Sequence, residues 1–189
     1  MNATHAPVRH LTVGLALALL MAATRLHHFG SATHLPDASL AVFLLGGFYL
    51  RGAGWFAGYL VEAALVDYLA IAFGGVSDWC VTPAYLFLIP AYACLWGAGA
   101  WYARRSRAEW RSFGALVGAL VIGVSAAFLI SNGSFYLLSG YFTEMGWTGY
   151  AARVAKYYPP YLAGALLYVA LAALVHGLLA ARTRSSQRA

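Results

Sequence analysis

Long apolar runs, broken by proline, glycine and clusters of arginine, predict helices at about residues 10–26, 37–51, 54–73, 83–103, 112–131 and 159–181. Pro36, Pro83 and Pro159-Pro160 fall at or just before the starts of these runs, where a missing backbone N–H costs little. Gly52 and Gly54 flank Ala53 in a tight turn between the second and third runs. Pro90 lies inside the fourth run and predicts a kink there, tolerable where neighbouring helices cover the freed carbonyl.

Composition turns these helices into membrane spans. The chain has 189 residues, 62% hydrophobic and 10% charged, against roughly 25% charged in soluble domains. About 20 apolar residues cross the hydrocarbon core of a bilayer, so a chain of this length holds about six crossings with short loops. The expected fold is an all-α integral membrane protein, one compact six-helix domain over residues 1–189 with no separate soluble part.

The net charge of +6 follows topology rather than a nucleic-acid partner. Alternating the spans gathers Arg9, Arg51, Arg104, Arg105, Arg107, Arg111, Arg182, Arg184 and Arg188 on the side that holds both termini. The other side holds only Arg25, Arg153 and Lys156, offset by Asp37, Asp78 and Glu144. The positive-inside rule then puts both termini in the cytoplasm. An alternative reading makes the first span a cleaved signal peptide, with Ala22-Ala23 near its end, but five remaining spans fit the later charges no better.

The same alternation leaves three outer connections, at 27–36, 74–82 and about 132–158. The last is rich in aromatics (Phe135, Tyr136, Tyr141, Phe142, Trp147, Tyr150, Tyr157 and Tyr158), which predict either an interfacial belt or a lid over an outward mouth. Residues 149–157 predict a short helix lying across that mouth.

Few residues offer chemistry. Asp67 and Glu62 are the acids inside spans, where carboxylates are costly and usually functional. Asp67 lies roughly 9 Å below the outer end of its helix, within reach of a cavity, whereas Glu62 is deeper and points about 140° round it. Cys80 and Cys94 form no CxxC pair. Cys94 is roughly 16 Å down its helix from Pro83, too far for a disulfide with Cys80, and reads as a small buried hydrophobe. Cys80 is therefore a free thiol on an oxidising face, a liability unless covered or used. His27, His28 and Tyr85 lie at helix ends on the same side, while His176 sits near the cytoplasmic end of the last span as a packing or interfacial residue.

With its short loops, cytoplasmic termini and the run Gly74-Gly75-Val76-Ser77-Asp78-Trp79-Cys80-Val81-Thr82-Pro83, the whole chain resembles the BtuM-type vitamin B12 uptake proteins, solitary S-components related to ECF transporters. The resemblance implies a cobalamin carrier of the bacterial inner membrane, with a site open to the periplasm. It implies Cys80 as axial cobalt ligand in place of the vitamin's own dimethylbenzimidazole, which suits a soft thiolate. His28 would lie at the corrin face, and Asp67, Tyr85 and Arg153 would bond the corrin amides or nucleotide loop. Gly14, Ala18 and Ala22, four residues apart on the first helix, would be the contact stripe toward an ECF energising module, if one is used. The partners so implied are cobalamin, the lipid bilayer and that module. A thiolate on cobalt would also labilise the opposite axial ligand and favour reduction, so cyanocobalamin could lose cyanide and Cys80 would act catalytically.

Rival readings have less to stand on. Ser139-Gly140 follows Leu137-Leu138, so the nucleophile motif of a rhomboid-like protease is missing. A thiol oxidase needs a cysteine pair, and a haem carrier needs facing histidines within spans. The alternatives that stay open are a small proton-coupled carrier for another solute, relaying protons through Asp67 and Glu62, and an intramembrane thiol enzyme.

Overall fold

The computed structural model describes residues 5–25, 35–105, 110–144 and 146–186, which fold into six α-helices with no strand among them. In chain order these are α1 (His5–Thr24), α2 (Ser39–Tyr49), α3 (Ala53–Phe73), α4 (Leu88–Arg105), α5 (Trp110–Leu138) and α6 (Trp147–Ser186). Two 3-10 turns, Asp78–Cys80 and Pro83–Phe87, connect α3 to α4. Among the described residues, four stretches are long and apolar enough to cross a membrane: Ala53–Phe73, Pro83–Arg105, Ser112–Leu138 and Trp147–Thr183. Their outer surfaces carry large apolar side chains such as Val61, Leu65, Ile122, Leu129, Leu174 and Leu178, a pattern that suits lipid far better than water.

The second predicted run is a short helix at the core of the bundle. α2 has 11 residues, roughly 16 Å of helix, and from Ala41 to Leu44 its side chains are essentially inaccessible. Phe43 stacks flat on Tyr92 of α4, with ring centroids 4.0 Å apart, and meets Phe56 and Tyr59 of α3 edge-on. Glycine sets how closely α2 and α4 approach. A Cβ on Gly47 would collide with the Trp96 carbonyl, and one on Gly99 with that of Leu44. Backbone thus lies against backbone, the contact that small residues allow between membrane helices.

Prolines shape the ends differently from expectation. Pro90 lies inside the Pro83–Arg105 stretch, as expected, but in the first turn of α4, because residues 83–87 form a 3-10 turn ahead of it; its missing N–H is there an unneeded donor. Pro159 and Pro160 do not start a helix: α6 begins at Trp147 and runs through both. The segment 132–158, expected as a lid loop with a short helix at 149–157, is helical at 132–138 and 147–158. Aromatic contacts explain why the helix reaches so far back, with Tyr150 packed on Tyr136 of α5 at 4.7 Å and Tyr158 bonded to Ser125 at 2.7 Å.

Candidate functional site

One end of the bundle holds a cavity of about 330 Å³, at the small end of the roughly 300–1,000 Å³ typical of small-molecule sites. Its walls come from Arg25 just after α1, the last residues of α3 and α5, the first residues of α2 and α4 and the first part of α6, together with both 3-10 turns. Cys80, Asp67, Tyr85 and Arg153, the expected site residues on four different segments, all line it. His28 lies outside the described residues.

Local chain chemistry presents Cys80 to this space. Gly74 closes α3, and Gly75 takes the left-handed conformation at φ 68° while the Val76 N–H returns to the Ala70 carbonyl at 3.2 Å, a glycine-dependent helix stop. Ser77 then accepts from the Trp79 N–H at 3.2 Å and starts the turn that carries Cys80. The thiol is free and exposed on the cavity wall. Desolvation by the surrounding chain, and secondarily the Asp67 charge, hold its pKa above the ordinary thiol range. Trp79 beside it stacks on Tyr141 of the 139–146 connection, with centroids 3.8 Å apart and planes 10° from parallel. The connection after α3 and the one after α5 therefore meet beside the cavity.

The floor of the cavity is a polar cluster centred on Arg25, counted in the sequence merely as a loop charge. Its side chain is 2% exposed. Nε and Nη2 donate to the two carboxylate oxygens of Asp67, each at 2.8 Å, in a fork-to-fork pair. Nη1 donates to Ser39 at 2.8 Å and to Tyr92 at 2.9 Å, and Asp37 stands 3.8 Å away. Tyr85 donates its hydroxyl to Asp67 at 2.7 Å. One guanidinium so ties α1, α2, α3, α4 and the turn after Cys80. The signal for it was in the sequence, since an intramembrane acid needs a counter-charge, and Arg25 ends an apolar run on the same side as Asp67. Asp37, Ser39, Tyr92, Trp79 and Tyr141 were likewise not singled out as site residues.

Arg153 stands apart from this cluster, with its guanidinium over the rings of Phe142 (4.5 Å) and Tyr157 (5.1 Å). Of the small-residue stripe on α1, Gly14 is occupied inside the chain: Trp55 covers the space its Cβ would fill, and its carbonyl accepts from Tyr59 at 2.9 Å. Ala18 and Ala22 are half-buried, Ala18 against the core. The stripe expected to face an energising module is thus turned at Gly14 toward α3. Glu62 is half-buried on α3 and does not line the cavity. Cys94 is a half-buried free thiol on α4, and His176 bonds Tyr49 at 3.1 Å near the opposite end of the bundle. No protein-family model matches the chain, and no curated protein matches it.

Proposed function

We propose that the protein binds cobalamin at this cavity and carries it across the bacterial inner membrane, with Cys80 as the axial ligand of cobalt. The observation that carries the reading is a free, solvent-reachable thiol on the wall of a cavity whose other walls are mostly apolar and aromatic. A soft donor in such a setting suits a large, mostly apolar ligand that contains a metal. Resemblance to the BtuM-type uptake proteins points the same way. The cavity receives one face of the corrin, and since the whole ligand exceeds its volume, the Trp79–Tyr141 stack parts on binding.

All six helices then cross the bilayer, the short α2 doing so within the bundle, where protein rather than lipid surrounds most of it. Both termini are cytoplasmic and the cavity faces the periplasm. The polar floor argues against the proton-carrier alternative, because Asp67 is already held by Arg25 and Tyr85.

Ligation by Cys80 further makes cyanocobalamin a substrate for cyanide loss. The thiol gives up its proton and its sulfur takes the position that the dimethylbenzimidazole nitrogen vacates; cyanide departs from the opposite position with its electron pair, takes up a proton and leaves that position to water. This exchange needs no external reductant. The test is the absorption spectrum of purified protein mixed with cyanocobalamin. Wild type converts the cyanide-bound spectrum and retains coloured ligand through desalting, and Cys80→Ala does neither. A cyanide-bound spectrum identical in the two proteins refutes the assignment.

A further inference from the structure

The end of the bundle opposite the cavity carries a second concentration of charge, all of one sign. Arg51 lies in the turn from α2 to α3, Arg104 and Arg105 end α4, and all three are exposed. Arg51 Nη2 reaches the Ala103 carbonyl at 3.4 Å, so the turn and the end of α4 are neighbours. No acid pairs with these three among the described residues. The connection that follows α4 keeps the same sign in sequence, with Arg104, Arg105, Arg107 and Arg111 against Glu109; 106–109 lie outside the described residues.

The backbone at Arg51 is unusual. Its N–H and that of Leu50 both return to the Gly46 carbonyl, and its φ is 55°, the only positive value at a non-glycine among the described residues. Such a left-handed helix stop normally falls to glycine, and the next residue is Gly52. The chain accepts strain to hold a guanidinium here. The bond to Ala103 is long and engages one of its five N–H donors.

Aromatic side chains fix the depth of this cluster. Arg105 lies over the Trp101 ring at 4.7 Å, Trp101 is 41% exposed, and Tyr102 stacks on Phe48 at 5.3 Å. Tryptophan and tyrosine favour the headgroup level of a bilayer, and Arg104 and Arg105 stand about one turn further along α4. The arginines also flank the ends of two stretches apolar enough to cross a membrane, Ala53–Phe73 and Pro83–Arg105. Guanidinium forks match pairs of phosphate oxygens, and basic clusters between membrane helices suit anionic headgroups.

We propose that Arg51, Arg104 and Arg105 bind the phosphodiester of an anionic phospholipid where the α2–α3 turn meets the end of α4. The occupant is a lipid rather than soluble phosphate, because the bilayer around the two apolar stretches delivers its headgroups to this level. The site is separate from the Cys80 cavity and independent of what that cavity binds.

The experiment follows thermal unfolding of protein in a neutral detergent with added phosphatidylglycerol, phosphatidylcholine or inorganic phosphate. At low salt phosphatidylglycerol raises the wild-type midpoint by about 5 °C, the other two do not, and 0.5 M salt removes most of the gain, about the screening expected of exposed charges. Arg51→Gln, and separately Arg104→Gln with Arg105→Gln, lose at least about half of that shift. Lys156→Gln, which removes an exposed charge at the cavity end, keeps all of it and so separates a site from net charge. An equal shift with phosphatidylcholine, no shift with any lipid, or a full shift in the arginine variants overturns the site. A shift with inorganic phosphate that matches phosphatidylglycerol overturns the lipid as occupant.

Discussion

Arg25 shows how much one side chain holds together at the inner end of the cavity. A charge buried at 2% exposure is tolerable only because its donors meet Asp67, Ser39 and Tyr92 in good geometry. Replacing it by Met leaves the Asp67 carboxylate, 16% exposed on the cavity wall, with only Tyr85 to bond it, a change that costs at most the about 3–5 kcal/mol of a broken buried pair. Tyr85→Phe removes one hydrogen bond of the same cluster and costs about 1–3 kcal/mol, the larger figure applying if the carboxylate is left short of donors. Thermal unfolding in detergent should therefore rank wild type above Tyr85→Phe, and Tyr85→Phe above Arg25→Met; equal stability of Arg25→Met and wild type contradicts the role given to the cluster. The sequence showed the acid in its span and the thiol in its loop. It did not show the pairing, because Asp67 is 42 positions from Arg25, and only the folded bundle decides which of Arg25, Arg153 and Lys156 reaches it.

At the scale of helices, apolar run lengths located α3 almost residue for residue, expected at 54–73 and found at Ala53–Phe73, because glycine brackets it at both ends. The misread elements are those where tertiary packing outweighed local signals. The ring contacts with α5 carry α6 back past two prolines, and the close seat against α4 allows α2 to be only 11 residues long. That seat depends on Gly47 and Gly99 facing backbone carbonyls across the helix pair. A side chain at Gly99 must push α4 off α2, and so break the Phe43–Tyr92 stack and disturb Tyr92 under Arg25. Gly99→Leu should destabilise the protein by at least the ~1–3 kcal/mol of ordinary core overpacking and lower ligand binding with it. Gly97, two residues away with open space around it, is the control: Gly97→Leu on the same helix should leave both unchanged. Similar losses for the two variants would show that the close approach is not what Gly99 serves, since leucine is the better helix former at both positions.

For the whole molecule, alternation along the chain explains why the cavity lies at one end and why Arg51, Arg104, Arg105 and Arg182 gather at the other. The ends of odd-numbered helices and the starts of even-numbered ones meet around Cys80, while Arg51 donates to the Ala103 carbonyl at 3.4 Å and His176 bonds Tyr49 at the far end. On the proposed topology this charge division places the cavity outside the cytoplasm. A membrane-impermeant maleimide offered to spheroplasts should then modify Cys80 and spare Cys94, as a Cys94→Ala background will confirm. The thiolate is the reacting form. A thiol held above its ordinary pKa by desolvation and the Asp67 charge stays mostly protonated at neutral pH, so modification should run slower than for a free cysteine. Its rate should keep climbing with pH through and beyond the usual thiol range, without an early plateau. Preloading with cobalamin should abolish the reaction by occupying the sulfur. Modification seen in inverted vesicles but not in spheroplasts would reverse the orientation, and with it the direction in which the cavity collects its ligand.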